Sequence, residues 1–293
     1  MNMQLGFRAH DFGKFATADE LATVIETFQT PSSIQLALKK VIPTALDASD
    51  YTPRYIDGIR QALAAHGVHV AVIGCYINPV HPDPEQLEAH LKRFETHLKF
   101  NREFGCRIVG TETGSLNPDC SYHPDTSEPA VFDRLCRSIG RLLEAAVKYD
   151  GIVAVEAVSR SHTICSIARM VRLLEKFDTP HLRVIYDPVN LTPWTGIPEL
   201  DGSVRRHPSQ EAQRSFFRQA LDAFGDKIVA IHAKDYVLDE AGRKIGDIPL
   251  GTGTMDWKCL AQELQERLID VPVLLENLNP ATLTQTLDYL RQF

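Results

Sequence analysis

No stretch of the chain approaches the roughly 18 consecutive apolar residues that a membrane-spanning helix needs, so no membrane span is expected. The opening residues, MNMQLGFRAHDF, lack the basic-then-apolar pattern of a secretory leader. The six cysteines, at 75, 106, 120, 136, 165 and 259, form no CxxC pair and no regular framework. Reduced thiols in a cytoplasmic protein are the simplest reading of that spacing. A long basic block is also missing, and the formal net charge is −7. That balance argues against a nucleic-acid partner held by phosphate neutralisation. No linker-like stretch, internal repeat or low-complexity block interrupts the sequence, so residues 1–293 are expected to form a single domain.

What is present is the composition of a globular protein, 44% apolar and 24% charged, in a chain long enough to bury a sizeable core. Short apolar runs suit buried strands at 4–7, 33–38, 68–74, 107–112, 152–158, 182–187, 227–232 and 271–276. Amphipathic segments with helical spacing lie between them, near 17–28, 52–65, 85–104, 129–149, 163–177, 208–224, 256–268 and 280–291. Thr17, Asp83, Ser209 and Asp256 are placed to cap four of these helices. Strands so uniformly apolar are covered on both faces, which indicates a parallel sheet. Eight βα units in this order predict a (β/α)8 TIM barrel, whereas a doubly wound open sheet usually needs no eighth unit. Loop lengths agree: helix-to-strand connections are short, while strand-to-helix connections are long at 39–51, 75–84, 113–128, 188–208 and 233–255. In a barrel those long loops share the face that carries active sites.

The last four strands each end on an ionisable group. Glu156 closes VAVE, Asp187 closes RVIYD, His232 stands in IVAIHAKD and Glu276 closes PVLLE. They are 31, 45 and 44 residues apart, the length of one βα unit with a generous loop. Any one of them alone would pass for a helix cap or a surface ion pair. Together they would gather three carboxylates and an imidazole, and carboxylates held close need a positive partner. A divalent metal answers that need; this donor set suits Mn2+, Mg2+ or Co2+, with Zn2+ also compatible.

With HAKD (232–235) and PLGTGTMDW (249–257), these four stations resemble the xylose-isomerase-like barrels over essentially the whole chain. That group includes ketose 3-epimerases, hydroxypyruvate isomerases, inosose dehydratases and endonuclease IV. The resemblance implies that Glu156, Asp187, His232 and Glu276 hold one metal ion. By similarity to the ketose 3-epimerases, it implies that Glu156 and Glu276 also form the acid/base pair flanking a sugar substrate. Polarising a ketone beside a hydroxyl would acidify the α C–H, and the two carboxylates would serve opposite faces of that carbon.

Further substrate contacts are expected from His162, Asn190, Arg243, Glu112 and Lys234. His162 lies where the epimerases carry an acidic residue, and Asn190 stands where many members have a second histidine. Lys234 shares strand parity with His232 and is expected to be dispensable for proton exchange. The Gly251-Thr-Gly253-Thr turn either offers backbone N–H groups to a phosphate or simply turns the chain. His10 and His123 fall on mouth-side loops without an assigned role. An inosose-type dehydratase on the same metal site is the alternative activity. An endonuclease IV-like phosphodiesterase fits less well, since Asn190 replaces a histidine and Thr254-Met255-Asp256 supplies no Asp-x-His pair. A barrel that binds sugar without catalysis is opposed by the two glutamates. The identity of the sugar, its phosphorylation and any homo-oligomer are left open.

Overall fold

Eight short parallel strands close into a barrel, because every one of the eight apolar runs is a strand in the structure. A computed structural model describes residues 4–28, 32–278 and 280–291. In chain order the strands are β1 (Leu5–Arg8), β2 (Ser32–Leu36), β3 (Val68–Gly74), β4 (Ile108–Glu112), β5 (Ile152–Glu156), β6 (Leu182–Tyr186) and β7 (Ile228–Ala233). A two-stranded antiparallel hairpin follows, β8 (Asp235–Leu238) and β9 (Lys244–Ile248), and then β10 (Val273–Leu275) completes the barrel between β7 and β1. The closed parallel barrel with outer helices is the (β/α)8 architecture expected from the alternation.

Inside the barrel a small apolar layer of Val72, Ala154, Ile185, Ala230 and Leu274 fills the centre, one residue from each of β3, β5, β6, β7 and β10. Gly110 on β4 belongs to this packing, since a Cβ there would sit 2.6 Å from Ile185 Cδ1. Space that β4 gives up is taken by the branched side chain across from it. The larger core lies between the barrel and its helices, built on Phe7, Phe94, Phe132, Phe217 and Leu260 among others.

The four caps read from the sequence are formed. The side chains of Thr17, Asp83, Ser209 and Asp256 accept backbone N–H groups of Glu20, Glu85, Ala212 and Cys259. Two helices differ from the expected bounds. The segment 85–104 breaks at Phe100 into Pro84–Lys99 and a single turn, Asn101–Phe104, which stops on Gly105 at φ 71°. The helix expected from 163 starts at Ile167, capped by Ser166. Residues 163 and 164 stay out of the helix, their N–H groups donating to Gly114 O and Thr113 Oγ1 beyond β4. Among the described residues no helix is long and apolar enough to cross a membrane.

Candidate metal and substrate site

Register brings the strand ends together. Glu156 is the last residue of β5 and pairs across the sheet with Glu112, the last of β4. His232 on β7 pairs with Leu274 on β10. Asp187 is the first residue past β6 and caps the turn Pro188–Leu191, its Oδ1 accepting Asn190 N–H at 2.8 Å. Glu276 is the first residue past β10, fixed by its N–H donating to Ala233 O at 3.0 Å. All four side chains are buried, none more than 3% exposed.

The imidazole of His232 is the hub. Its Nε2 lies 2.5 Å from Gln35 Oε1, and Gln35 Nε2 donates in turn to Tyr76 Oη at 2.7 Å. A carboxamide oxygen accepts only, so Nε2 carries a proton and Nδ1 is aimed into the site. There Nδ1 meets Glu156 Oε2 at 3.1 Å and Glu276 Oε1 at 3.4 Å. Glu156 Oε1 accepts Asn190 Nδ2–H at 2.5 Å. Glu276 Oε2 lies 3.2 Å from both Arg8 Nη1 and Lys234 Nζ. The ammonium of Lys234 also reaches Asp187 Oδ2 at 2.9 Å and Asp247 Oδ1 at 2.8 Å.

These contacts divide the two glutamates. Burial pushes Glu156 up to about 7, against the pull of His232. Burial acts the same way on Glu276, but His232, Lys234 and Arg8 outweigh it and hold this carboxyl well below the ordinary range. For His232, burial opposes the charged ring, and Glu276 and Glu156 reverse that, raising it to about 9.

The donor chemistry fits a divalent ion. Glu156, Asp187 and His232 each present one ligand atom, all within 4.8 Å of one another. His232 Nδ1 and Asp187 Oδ2 are buried and make no hydrogen bond of proper geometry, despite the charged groups beside them. Buried polar atoms left this way are rare without an ion or water to satisfy them. Glu276 stands outside this set of three, its oxygens turned toward Arg8, Lys234 and His232.

A cavity of about 520 Å³ opens above these residues at the carboxyl end of the strands. Glu112 and His162 line it; His162 Nε2 contacts Cys120 O at 3.2 Å, and its Nδ1 is buried without a partner. Asn190 lines the cavity, and its Nδ2 also donates to Glu156 Oε1. Arg243 is not brought to the site: it ion-pairs with Asp239 at 2.9 Å in the hairpin turn, and is 60% exposed. Lys234, expected to be dispensable, is 3% exposed and pairs with three carboxylates. The Gly-rich turn binds no external anion through these N–H groups, because Gly251, Gly253 and Met255 donate theirs to the Asp235 carboxylate. His10 lines the cavity, whereas His123 only caps a short turn at Asp125.

Arg8, Gln35, Tyr76 and Asp247 escaped the sequence reading. Arg8 ends β1 as the four stations end their strands, and Gln35 is a polar residue inside an apolar run, so both carried a signal. Asp247 carried none, since its place depends on how the hairpin folds over the mouth.

The family model described as xylose isomerase-like TIM barrel matches residues 32–293. No curated protein matches the chain at the sequence level. Among solved structures, 3-keto-D-glucoside 4-epimerase from E. coli is similar at 17% identity, covering 100% of both chains with a TM-score of 0.68. D-psicose 3-epimerase from Clostridium cellulolyticum H10, solved with D-tagatose, is 14% identical over 93% of this chain and 84% of that one, TM-score 0.65. A xylose isomerase-like protein from Mycobacterium smegmatis in complex with magnesium is 17% identical, covering 93% and 88%, TM-score 0.64.

Proposed function

The chain belongs to the xylose isomerase-like TIM barrel family, and from that premise we propose that it is a divalent-metal-dependent isomerase or epimerase of small sugars. The observation that carries the reading is the convergence of Glu156 and Glu276 on His232 Nδ1, with Asp187 adjacent, beneath a cavity of about 520 Å³. Sugar epimerases among the similar structures support the substrate class. The magnesium complex supports the ion.

In this reading Glu156, Asp187, His232 and Glu276 hold the ion, with Mn2+ favoured by three carboxylates and one imidazole. Bound there, the ion supplies Lewis-acid stabilisation of the oxygen charge that develops when a proton leaves the carbon beside a carbonyl. The protein supplies the rest. Glu276, held against His232, Lys234 and Arg8, is one carboxylate of the pair that would move that proton. Glu156, across the site, is its partner in the pair, the two serving opposite faces of that carbon. Gln35 fixes the imidazole and Asn190 fixes Glu156, so the pair is aligned before substrate arrives. His162, held by its Nε2–H to Cys120 O, forms part of the wall that a substrate hydroxyl would meet. Glu112 is a second acceptor on the same wall.

Incubation with a panel of ketoses and inososes in D2O with Mn2+ tests the proposal. Deuterium beside the carbonyl, together with a new epimer or isomer, is the expected result. Loss of water from an inosose instead would make the protein a dehydratase on the same site. No exchange with any member of the panel would contradict both.

A further inference from the structure

Lys234 sets this site apart from a plain cage of ion ligands. Two of the three oxygens around its ammonium belong to Asp187 and Glu276, which are proposed to hold the ion. The third belongs to Asp247 on the hairpin strand β9, which is not among those ligands. The ammonium is not a surface chain folded inward by chance, because the backbone on which it stands is clamped on both sides. Its own carbonyl accepts Trp257 Nε1–H at 3.0 Å. The next residue, Asp235, accepts the N–H groups of Tyr236, Gly251, Gly253 and Met255.

Charge matching explains why a lysine is placed there. Glu156, Asp187, Asp247 and Glu276 meet around Arg8, Lys234 and the His232 ring, and Arg8 is shared with Asp11. One divalent ion would add positive charge to this carboxylate cluster. Until it arrives, carboxylates held this close repel one another unless a cation stands between them. An ammonium and a divalent ion that draw on the same oxygens also oppose each other. Resting on the metal-centre reading above, we infer that Lys234 is a resident counter-cation that competes with the divalent ion. Without the ion it holds Asp187 and Glu276 together. Ion binding draws those two oxygens away, and Asp247 keeps the ammonium. The ion is therefore exchangeable, and its binding is coupled to the hairpin through a residue that does not ligate it. Asp247 suits this part: it is 69% exposed on its side-chain surface, and its backbone is held at φ 61°, in the left-handed region.

Titration of Mn2+ into the chelator-stripped full-length protein, followed by calorimetry, tests this. Lys234→Met is expected to bind Mn2+ about tenfold more tightly or better, because one like charge is removed a few ångströms from the ion. Asp247→Asn is expected to weaken Mn2+ binding in the wild-type background and to have no effect in Lys234→Met, since its influence runs through the lysine. In the wild-type protein, Mn2+ is expected to change amide hydrogen exchange in residues 244–248. Should stripped Lys234→Met fail to fold, Lys234→Gln and the wild-type exchange measurement still decide. Unchanged or weaker Mn2+ binding in the lysine variants would overturn the inference and leave the metal centre standing, as would unchanged exchange at 244–248 on binding. Wild-type and variant proteins that bind no divalent ion at all would remove the metal centre and this inference with it.

Discussion

Glu156 has both carboxylate oxygens engaged before any substrate arrives, Oε1 by Asn190 and Oε2 toward His232. Asn190 therefore acts on chemistry through another residue as well as lining the cavity. Asn190→Ala frees Glu156 to turn. It is expected to lower the proton-exchange rate, or the affinity for the ion, by roughly ten- to a hundredfold with little change in KM. Steady-state exchange kinetics check this, and a rate equal to wild type would put Asn190 outside the positioning role. Arg243 gives the opposite expectation. Its guanidinium is committed to Asp239 at the exposed hairpin turn, so Arg243→Ala is expected to leave exchange unchanged and to shift stability by no more than about 0.5 kcal/mol. A large rise in KM in that variant would show that the hairpin reaches the substrate after all. In the sequence these two residues looked alike, since each was a polar group in a long mouth-side loop. What separated them was the direction of a side chain, which no spacing records.

At the scale of the element, HAKD and GTGTM are two halves of one device. Asp235 gathers the N–H groups of the Gly-rich turn, and that fixes the strand end from which Lys234 projects. Gly253 is required by this close approach, for a Cβ would lie 2.3 Å from both Asp235 Oδ1 and Tyr236 O. Gly253→Ala is expected to destabilise the protein by about 1–3 kcal/mol, read from urea unfolding, and to tighten ion binding as Lys234 loses its footing. Both motifs were visible in the sequence, yet their mutual hydrogen bonding was not, because Asp235 and Gly251 are 16 positions apart in the numbering and in contact in space. The same hairpin hid Asp247. The strands were legible because each is buried on both faces and so reads as an unbroken apolar run. Helix starts were legible where a cap residue preceded them, and less so at 163–166, where the N–H groups found partners on a neighbouring loop.

Across the whole molecule, the placement of four ionisable strand ends followed from the alternation alone, since closing eight parallel strands leaves adjacent ends nowhere else to be. What the pattern did not contain was the balance of charge among those ends. Arg8 and Lys234 supply it from strands whose sequence gives no hint of distance to Glu276. One contribution to acid stability lies far from these strand ends. His97, on the helix Pro84–Lys99, is packed between Tyr51 and Phe104, and burial pushes it down to about 4 from 6.5. The unfolded chain therefore binds a proton that the folded one refuses between those values. Its contribution is fully present above pH 6.5 and is lost as pH falls toward 4, up to about 3 kcal/mol in all. Denaturant unfolding at a series of pH values is expected to show a flatter acid limb in His97→Phe than in the wild type. Identical limbs would assign the loss elsewhere.

The central claim, that four strand ends hold one divalent ion, is tested most directly by the stoichiometry of Mn2+ binding to the chelator-stripped protein and its Asp187→Asn and His232→Ala variants. One ion per chain is expected in the wild type, with binding weakened at least about a hundredfold in each variant. An ion count other than one, or an affinity that neither substitution disturbs, would contradict it.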